Sequence, residues 1–155
     1  MYMYEVIRAS AETPDEIFAQ MSELDRAYLG SEGWSPESFR SEAEKAIGYV
    51  LYIPDGEKVA AVFAGYHAAG EADITTVAVS EEYRRRGLGK MLIEGFLDLI
   101  PDDTESVFLE VRASNAPAAA LYEKCGFSRI SVRRRFYSDP EEDAVVMKLD
   151  LTDRQ

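Results

Sequence analysis

Residues 77–90 read VAVSEEYRRRGLGK and lead into a segment whose apolar residues recur at helical spacing, among them Met91, Leu92 and Phe96. This order predicts a buried strand, a basic turn with two glycines and an amphipathic helix. Glycine lets the backbone turn tightly, so the N–H groups at the helix start can converge on an anion that the helix dipole also favours. The segment therefore predicts a site for a pyrophosphate-bearing cofactor.

The spacing within the glycine turn decides which kind of phosphate loop it is. A Walker loop carries Ser or Thr after its lysine, whereas Met91 follows Lys90 here. A dinucleotide fingerprint has a third glycine, and Leu92 stands at that position. What remains is Arg84-x-x-Gly87-x-Gly89. The alternative interpretation is an ordinary helix start beside a solvated run of arginines.

This motif resembles that of the GNAT family of acetyl-coenzyme A-dependent N-acetyltransferases, Arg/Gln-x-x-Gly-x-Gly/Ala. Blocks further along resemble, in order, the branch of that family that acetylates the N-terminal alanine of a ribosomal protein. They are LEVRASN at 109–115, ALYE at 120–123, GF at 126–127, RRRFY at 133–137 and EDA at 142–144. Several separated blocks in order are more specific than the glycine loop alone.

The resemblance implies an α/β (α+β) fold with a mixed, mostly antiparallel central sheet of about seven strands. It also implies a splayed parallel pair of strands and about four flanking helices. The length and the 46% hydrophobic content indicate a single domain over residues 1–155. The start MYMYE is unlike a signal peptide and no run of about 18 apolar residues occurs, which predicts a cytoplasmic protein outside membranes.

Charge and composition restrict the partners. A formal charge of −12 argues against nucleic-acid binding, which needs a basic surface, and favours a cationic partner. One cysteine, Cys125, and one histidine, His67, are too few for a typical zinc centre, so no metal is expected.

Local patterns predict the remaining elements. Residues 13–16 predict a capping box with Pro14 at the first helical position, and Ser35 and Pro36 predict a second helix start, with a loop at 28–34 between the two helices. The strand at 107–111 should lie parallel to 75–79, because a helix crosses over between them. Other strands are predicted at 4–9, 49–53, 59–66, 72–79, 127–136 and 144–149, and a helix at 116–125.

Glu110 is a candidate general base for acetyl transfer to an amine. It is the one acidic residue in the apolar strand at 107–111, and alternation puts it on the face of Phe108 and away from Leu109. A partly desolvated carboxylate suits a base that acts directly or through water. The alternative is an ion pair with Arg112 on the same face, and the resemblance favours the base role.

Tyr122 and Asn115 share a helix face because seven residues, two turns, separate them. The resemblance implies that Tyr122 protonates the coenzyme A thiolate and that Asn115 bonds the cofactor near its pantetheine. The alternatives are a core aromatic for Tyr122 and a helix cap for Asn115.

The resemblance assigns the rest of the cofactor site to two segments. Free backbone donors on the strand Val77, Ala78 and Val79 would polarise the acyl carbonyl and hold the pantetheine arm like an added strand. The pyrophosphate would lie on the basic loop, which consists of Arg84, Arg85, Arg86, Gly87, Leu88, Gly89 and Lys90.

Three residues are candidates for the acceptor site. The resemblance relates Tyr137 to an aromatic that lines the peptide groove of N-terminal acetyltransferases, although the usual Tyr-Tyr pair is Phe136-Tyr137 here. Trp34 and Glu32, in the loop between the first two helices, are further candidates for its wall, and Trp34 is alternatively a core residue.

The resemblance as a whole implies transfer of acetyl from acetyl-CoA to the N-terminal alanine of a small-subunit ribosomal protein. A basic N-terminal segment would suit the acidic chain. A small amine or a protein lysine remains open as the acceptor, since relatives with the same cofactor half differ around the acceptor site. A coenzyme A-binding module without turnover is a further alternative, although such a module needs only the loop.

Overall fold

The computed structural model describes residues 3–138 and 140–152, so the predicted domain bounds of 1–155 extend past it at both ends. Within the described residues the chain forms seven strands and four α-helices. In chain order these are β1 Ile7–Arg8, α1 Asp15–Leu29, α2 Pro36–Glu44, β2 Gly48–Asp55, β3 Lys58–Ala68, β4 Glu71–Val79, α3 Leu88–Leu99, β5 Ser106–Arg112, α4 Ala116–Lys124, β6 Ser128–Ser138 and β7 Glu141–Asp150. Short 3-10 turns lie at Gly30–Glu32 and Glu81–Tyr83.

The seven strands form one mixed sheet in the order β1-β2-β3-β4-β5-β7-β6. Its neighbours are antiparallel except for β4 and β5, which are parallel and joined through α3. The predicted architecture, mostly antiparallel with one parallel pair, is therefore confirmed. No helix in the described part of the chain is long and apolar enough to cross a membrane.

Helices cover both faces of the sheet, and strand alternation gives each face its own core. On β2, Leu51 and Ile53 belong to the core that contains Phe96 of α3 and Tyr122 of α4. The intervening Val50 belongs to the other core, with residues of α1 and α2. The centre of the sheet is thus covered on both faces. A strand such as β2, which carries apolar side chains on both of its faces, requires such burial.

The parallel pair separates part-way along its length. β4 and β5 pair only from Glu71 with Ser106 to Ile74 with Leu109. The next residue, Thr75, is an extra residue in the ladder to β3, since Gly65 pairs with Ile74 and Ala64 with Thr76. Because a bulge bends its strand and increases the local twist, β4 turns away from β5 from this point. The predicted parallel orientation of β4 and β5 and their splaying are therefore confirmed, and the segment 75–79 borders the gap.

Two local predictions at α1 were wrong. Pro14 occupies the N-cap position, not the first helical position, and no side chain caps the helix. The Thr13 hydroxyl instead accepts the Ser10 N–H at 2.9 Å. At its other end α1 continues to Leu29 through part of the predicted loop. The second helix starts as predicted, since the Ser35 hydroxyl accepts the Ser38 N–H at 3.1 Å.

Candidate active site

A cleft of about 890 Å³ opens where β4 and β5 separate. Glu110 lines it from the face of β5 opposite Leu109, as alternation predicted. Tyr122 lines it too, although it belongs to the core that contains Leu109. The cleft therefore passes between the two strands, and groups that enter from opposite faces of the sheet can meet there. The predicted site residues that line it are Trp34, Val77, Glu110, Asn115, Tyr122 and Tyr137, together with Glu32.

The backbone of β4 offers N–H donors to this gap. The Ser80 N–H donates to Ala60 O at 2.8 Å. Because N–H directions alternate along an antiparallel strand, the N–H of Ala78 also points at β3, and those of Val77 and Val79 point at the gap. The Ala78 side chain is buried in the α1–α2 core. Val77 and Val79 are therefore suited to pair with an extended ligand.

The basic loop lies outside the lining of the cleft, at the start of α3. Gly87 is the N-cap, with a φ of 78° that favours glycine. The Met91 N–H makes the first helical hydrogen bond, to Gly87 O at 3.1 Å, which leaves the preceding amides at the helix start for an anion. This donor set fits the pyrophosphate of an acyl-coenzyme A.

The other residues of the loop divide into three groups. Arg84, Arg85 and Lys90 are exposed around the helix start. Arg86 instead donates to the Tyr4 hydroxyl at 2.6 Å. Leu88 and Gly89 are buried, and a Cβ on Gly89 would come within 2.9 Å of Leu121 Cδ2, so glycine lets α3 pack closely on α4.

Glu110 forms an ion pair with a residue of another strand. Its side chain is 26% exposed, and its Oε1 accepts Arg133 Nη1 of β6 at 3.0 Å. Arg112 donates instead to Glu32 at 3.0 Å and to Glu142 at 3.2 Å. The alternative of an ion pair between Glu110 and Arg112 is therefore wrong, because neighbouring elements compete for that guanidinium.

Arg112 joins the two segments that border the cleft at the end of β5. Through Glu32 it holds the α1–α2 connection, and through Glu142 it holds the β6–β7 hairpin. Its guanidinium carbon also lies 4.3 Å from the centre of the Tyr137 ring. Glu32 extends the link, because it accepts the Ser138 N–H at 3.0 Å. Burial, followed by the charge of Glu110, raises the pKa of Tyr137 to about 12.

Trp34 is held by its backbone at the same border. Its N–H donates to the buried Asp25 carboxylate at 2.7 Å, and its carbonyl accepts the Ser22 hydroxyl at 2.7 Å. The indole packs against Phe39 with ring centres 5.1 Å apart. Trp34 thus both packs against a core residue and lines the cleft.

Tyr122 and Asn115 lie on α4 next to the gap. Tyr122 is 8% exposed, and burial raises the pKa of its phenol, with smaller effects from Tyr28 and Tyr137. The phenol therefore keeps its proton at neutral pH. Asn115 caps α4 by accepting the Ala118 N–H at 3.2 Å and donates from its amide to the Tyr28 hydroxyl. Its cap role is thus confirmed.

The cleft also contains residues that the sequence did not single out. They are Tyr28, Tyr66, Asp73 and Thr75, and Arg133 from the RRRFY block lines the cleft as well. Burial is the first cause, and Glu110 the second, of a rise in the pKa of Asp73 to about 7, and Arg133 opposes that rise. The sequence feature that could have identified Asp73 is that it is the one acidic residue in the predicted strand at 72–79. Its distance from Glu110, however, depends on how the strands pair.

Residues 7–127 match the family described as the acetyltransferase (GNAT) family. The chain belongs to the GNAT family. It is an N-acetyltransferase that uses acetyl-CoA, and the β4–β5 gap and the loop before α3 are features of this GNAT domain.

Individual relatives agree with this assignment. The GNAT chain is 37% identical over 123 residues to the ribosomal protein bS18-alanine N-acetyltransferase of Escherichia coli, covering 77% of its own length and 82% of the relative's. It is 31% identical over 151 residues to the N-alpha-acetyltransferase RimI of Mycobacterium tuberculosis, covering 94% and 90%. The crystal structure of the ribosomal-protein-S18-alanine N-acetyltransferase from Escherichia coli matches with a TM-score of 0.79 at 30% identity, covering 96% and 94%.

Proposed function

We propose that this GNAT enzyme is an N-alpha-acetyltransferase whose acceptor is the N-terminal alanine of a small-subunit ribosomal protein. Two relatives with 37% and 31% identity are named for alanine or N-alpha acetylation. The net charge of −12 suits a basic acceptor segment. The observation that carries the proposal is that Glu110 and Tyr122 line one gap from opposite faces of the sheet.

The reaction is a direct transfer that needs two proton movements. Glu110 takes a proton from the acceptor's ammonium, directly or through a water molecule. The amine nitrogen then bonds to the thioester carbonyl carbon, the carbon–sulfur bond breaks, and its electron pair leaves with sulfur. The Tyr122 hydroxyl protonates that sulfur, and its raised pKa keeps the proton in place until the thiolate forms. The second proton of the amine leaves to solvent.

Backbone and loop groups hold the donor during this transfer. The N–H groups of Val77 and Val79 bond the extended arm and polarise the acyl carbonyl. The helix start at Gly87, with the exposed Arg84, Arg85 and Lys90, holds the pyrophosphate. Asn115 bonds the arm near its middle and caps α4 as well.

The acceptor peptide lies between the α1–α2 connection and the β6–β7 hairpin. Trp34 and Tyr137 provide aromatic walls, and the Arg112 bridge from Glu32 to Glu142 holds the two walls together.

The test is a comparison of initial acetylation rates for an alanine-starting ribosomal peptide, its N-terminally blocked form, lysine side chains and a free polyamine. We expect an alanine-starting ribosomal peptide to react at least about tenfold faster than its N-terminally blocked form or a free polyamine. Equal rates on lysines or polyamines would favour the small-amine or lysine alternative. The absence of any turnover, with coenzyme A still bound, would favour the non-catalytic module.

A further inference from the structure

Asp73 is a partly buried carboxylate inside the cleft that no step described so far uses. It lies on β4, just before the bulge at Thr75 where the strands separate. Among the residues that the structure describes, none forms a hydrogen bond or ion pair with its side chain. Burying a carboxylate without a partner is unfavourable, so the position is suited to a cation that arrives from outside.

Asp73 and Glu110 lie on the same face of the sheet. Asp73 is in register with Phe108 on β5, and Glu110 is two residues further on, so alternation gives it the same face as Phe108. Tyr66 of β3 is in register with Asp73 on its other side. The charged and titratable groups around Asp73 are Tyr66 of β3, Glu71 of its own strand, Glu110 of β5 and Arg133 of β6, and Lys148 of β7 lies over the Phe108 ring.

When no acceptor is bound, Arg133 is the cation next to Asp73 and Glu110. It bonds Glu110 at 3.0 Å, and it also lowers the pKa of Asp73 against the raising effect of Glu110. Its side chain is 56% exposed on the edge strand β6. Because exposed ion pairs of this kind contribute little stability, a better-placed cation can displace it at small cost.

We propose that Asp73 and Glu110 together bind the α-ammonium group of the acceptor, which takes the place of Arg133 as their counter-charge. The inference rests on the proposed function, since it names the group recognised at that same site. Asp73 holds the ammonium while Glu110 accepts its proton. Asp73 is thus an acceptor-binding residue that distinguishes a charged peptide end from a neutral one.

The experiment measures peptide binding to the enzyme saturated with coenzyme A, by calorimetry. Two ligands are compared: an alanine-starting ribosomal peptide and the same peptide with a propionyl group in place of alanyl, which lacks only the ammonium. We expect the wild type to prefer the ammonium peptide by about tenfold or more. Asp73→Asn and Asp73→Thr should reduce the preference to within about threefold.

Glu71→Gln is the matched control. Glu71 lies two residues before Asp73 on the same face, is exposed, and is not part of the cleft lining. Its substitution removes the same charge from the same strand, so the wild-type preference should remain. Melting curves for all variants verify that they are folded.

The result that would overturn the inference is a wild-type preference retained in both Asp73 variants, or lost equally in Glu71→Gln. Acetylation of the ammonium peptide by the wild type is measured in parallel. If the wild type acetylates its α-amine and the Asp73 variants keep the preference, only the role of Asp73 fails. If the wild type does not acetylate it, the proposed function itself fails.

Discussion

In the proposed mechanism, protonation of the leaving thiolate depends on Tyr122. Tyr122→Phe should lower kcat about 100-fold, because the variant lacks the proton donor, while the KM for acetyl-CoA stays within about twofold. Steady-state kinetics with a saturating alanine-starting peptide measure both constants. Tyr52→Phe is the control, since Tyr52 is a buried tyrosine of the opposite core. An unchanged kcat for Tyr122→Phe would remove the phenol from the mechanism.

In the proposed mechanism, Glu110 has a separate role, the deprotonation of the acceptor. Glu110→Gln should lower kcat/KM most below neutral pH, where an α-amine with a pKa near 8 is almost fully protonated and needs a base. The deficit should shrink above about pH 9, where solvent has already removed the proton. A pH profile of kcat/KM for both enzymes measures this. Parallel profiles would show that Glu110 does not act on this proton.

Asp73, the proposed acceptor-binding residue, should also affect stability. Burial and Glu110 raise its pKa from 3.8 to about 7, so the folded state binds this proton more tightly than the unfolded state. The stabilisation that results is present below about pH 4 and is lost as the pH rises through about 7. Asp73→Asn has no such charge and should melt about 2–6 °C above the wild type at pH 8. The gain should decrease towards pH 5, and an equal gain at both pH values would contradict the coupling.

Helix α3 depends on Gly87 for the backbone turn at its N-cap. Gly87→Ala places a Cβ on a residue with a φ of 78° and open space around it, so about 1 kcal/mol of stability should be lost through strain alone. The altered helix start should also raise the KM for acetyl-CoA about fivefold or more.

The control for Gly87 is Gly56→Ala in the β2–β3 turn. Gly56 has a φ of 62° and equally open surroundings, but it is remote in sequence from the basic loop and its turn binds no ligand in the proposal. Urea unfolding should give similar losses for both variants, and only Gly87→Ala should change the KM. The same KM in both would mean that the loop does not hold the donor.

Elements whose determinants are local could be predicted from the sequence. The α2 start follows from Ser35 and Pro36 alone, and the inward and outward faces of β5 follow from alternation. The features that the sequence did not predict mostly depend on partners distant in sequence. The extent of β4–β5 pairing depends on a bulge opposite β3, and the ion pair of Glu110 depends on Arg133 from another strand. The predicted start of α1 is wrong for a local reason, because the Thr13 hydroxyl accepts a hydrogen bond from the Ser10 N–H and does not cap the helix.

In the proposed function, the whole molecule combines a donor half and an acceptor half across one sheet. The donor half, from β4 through α3, follows from a motif that covers consecutive residues. The acceptor half is assembled from the α1–α2 connection, the end of β5 and the β6–β7 hairpin, which Arg112 joins. Sequence patterns identified members of it, such as Trp34 and Tyr137, but their common border exists only in the fold.

The central claim is that this enzyme acetylates a peptide α-amine. The most direct measurement is tandem mass spectrometry of one peptide, with an N-terminal alanine and an internal lysine, after incubation with the enzyme and acetyl-CoA. We predict a single acetyl group on the alanine nitrogen, and none on the same peptide with a blocked N-terminus. An acetyl group on the lysine ε-nitrogen, or an unmodified peptide, would contradict the claim.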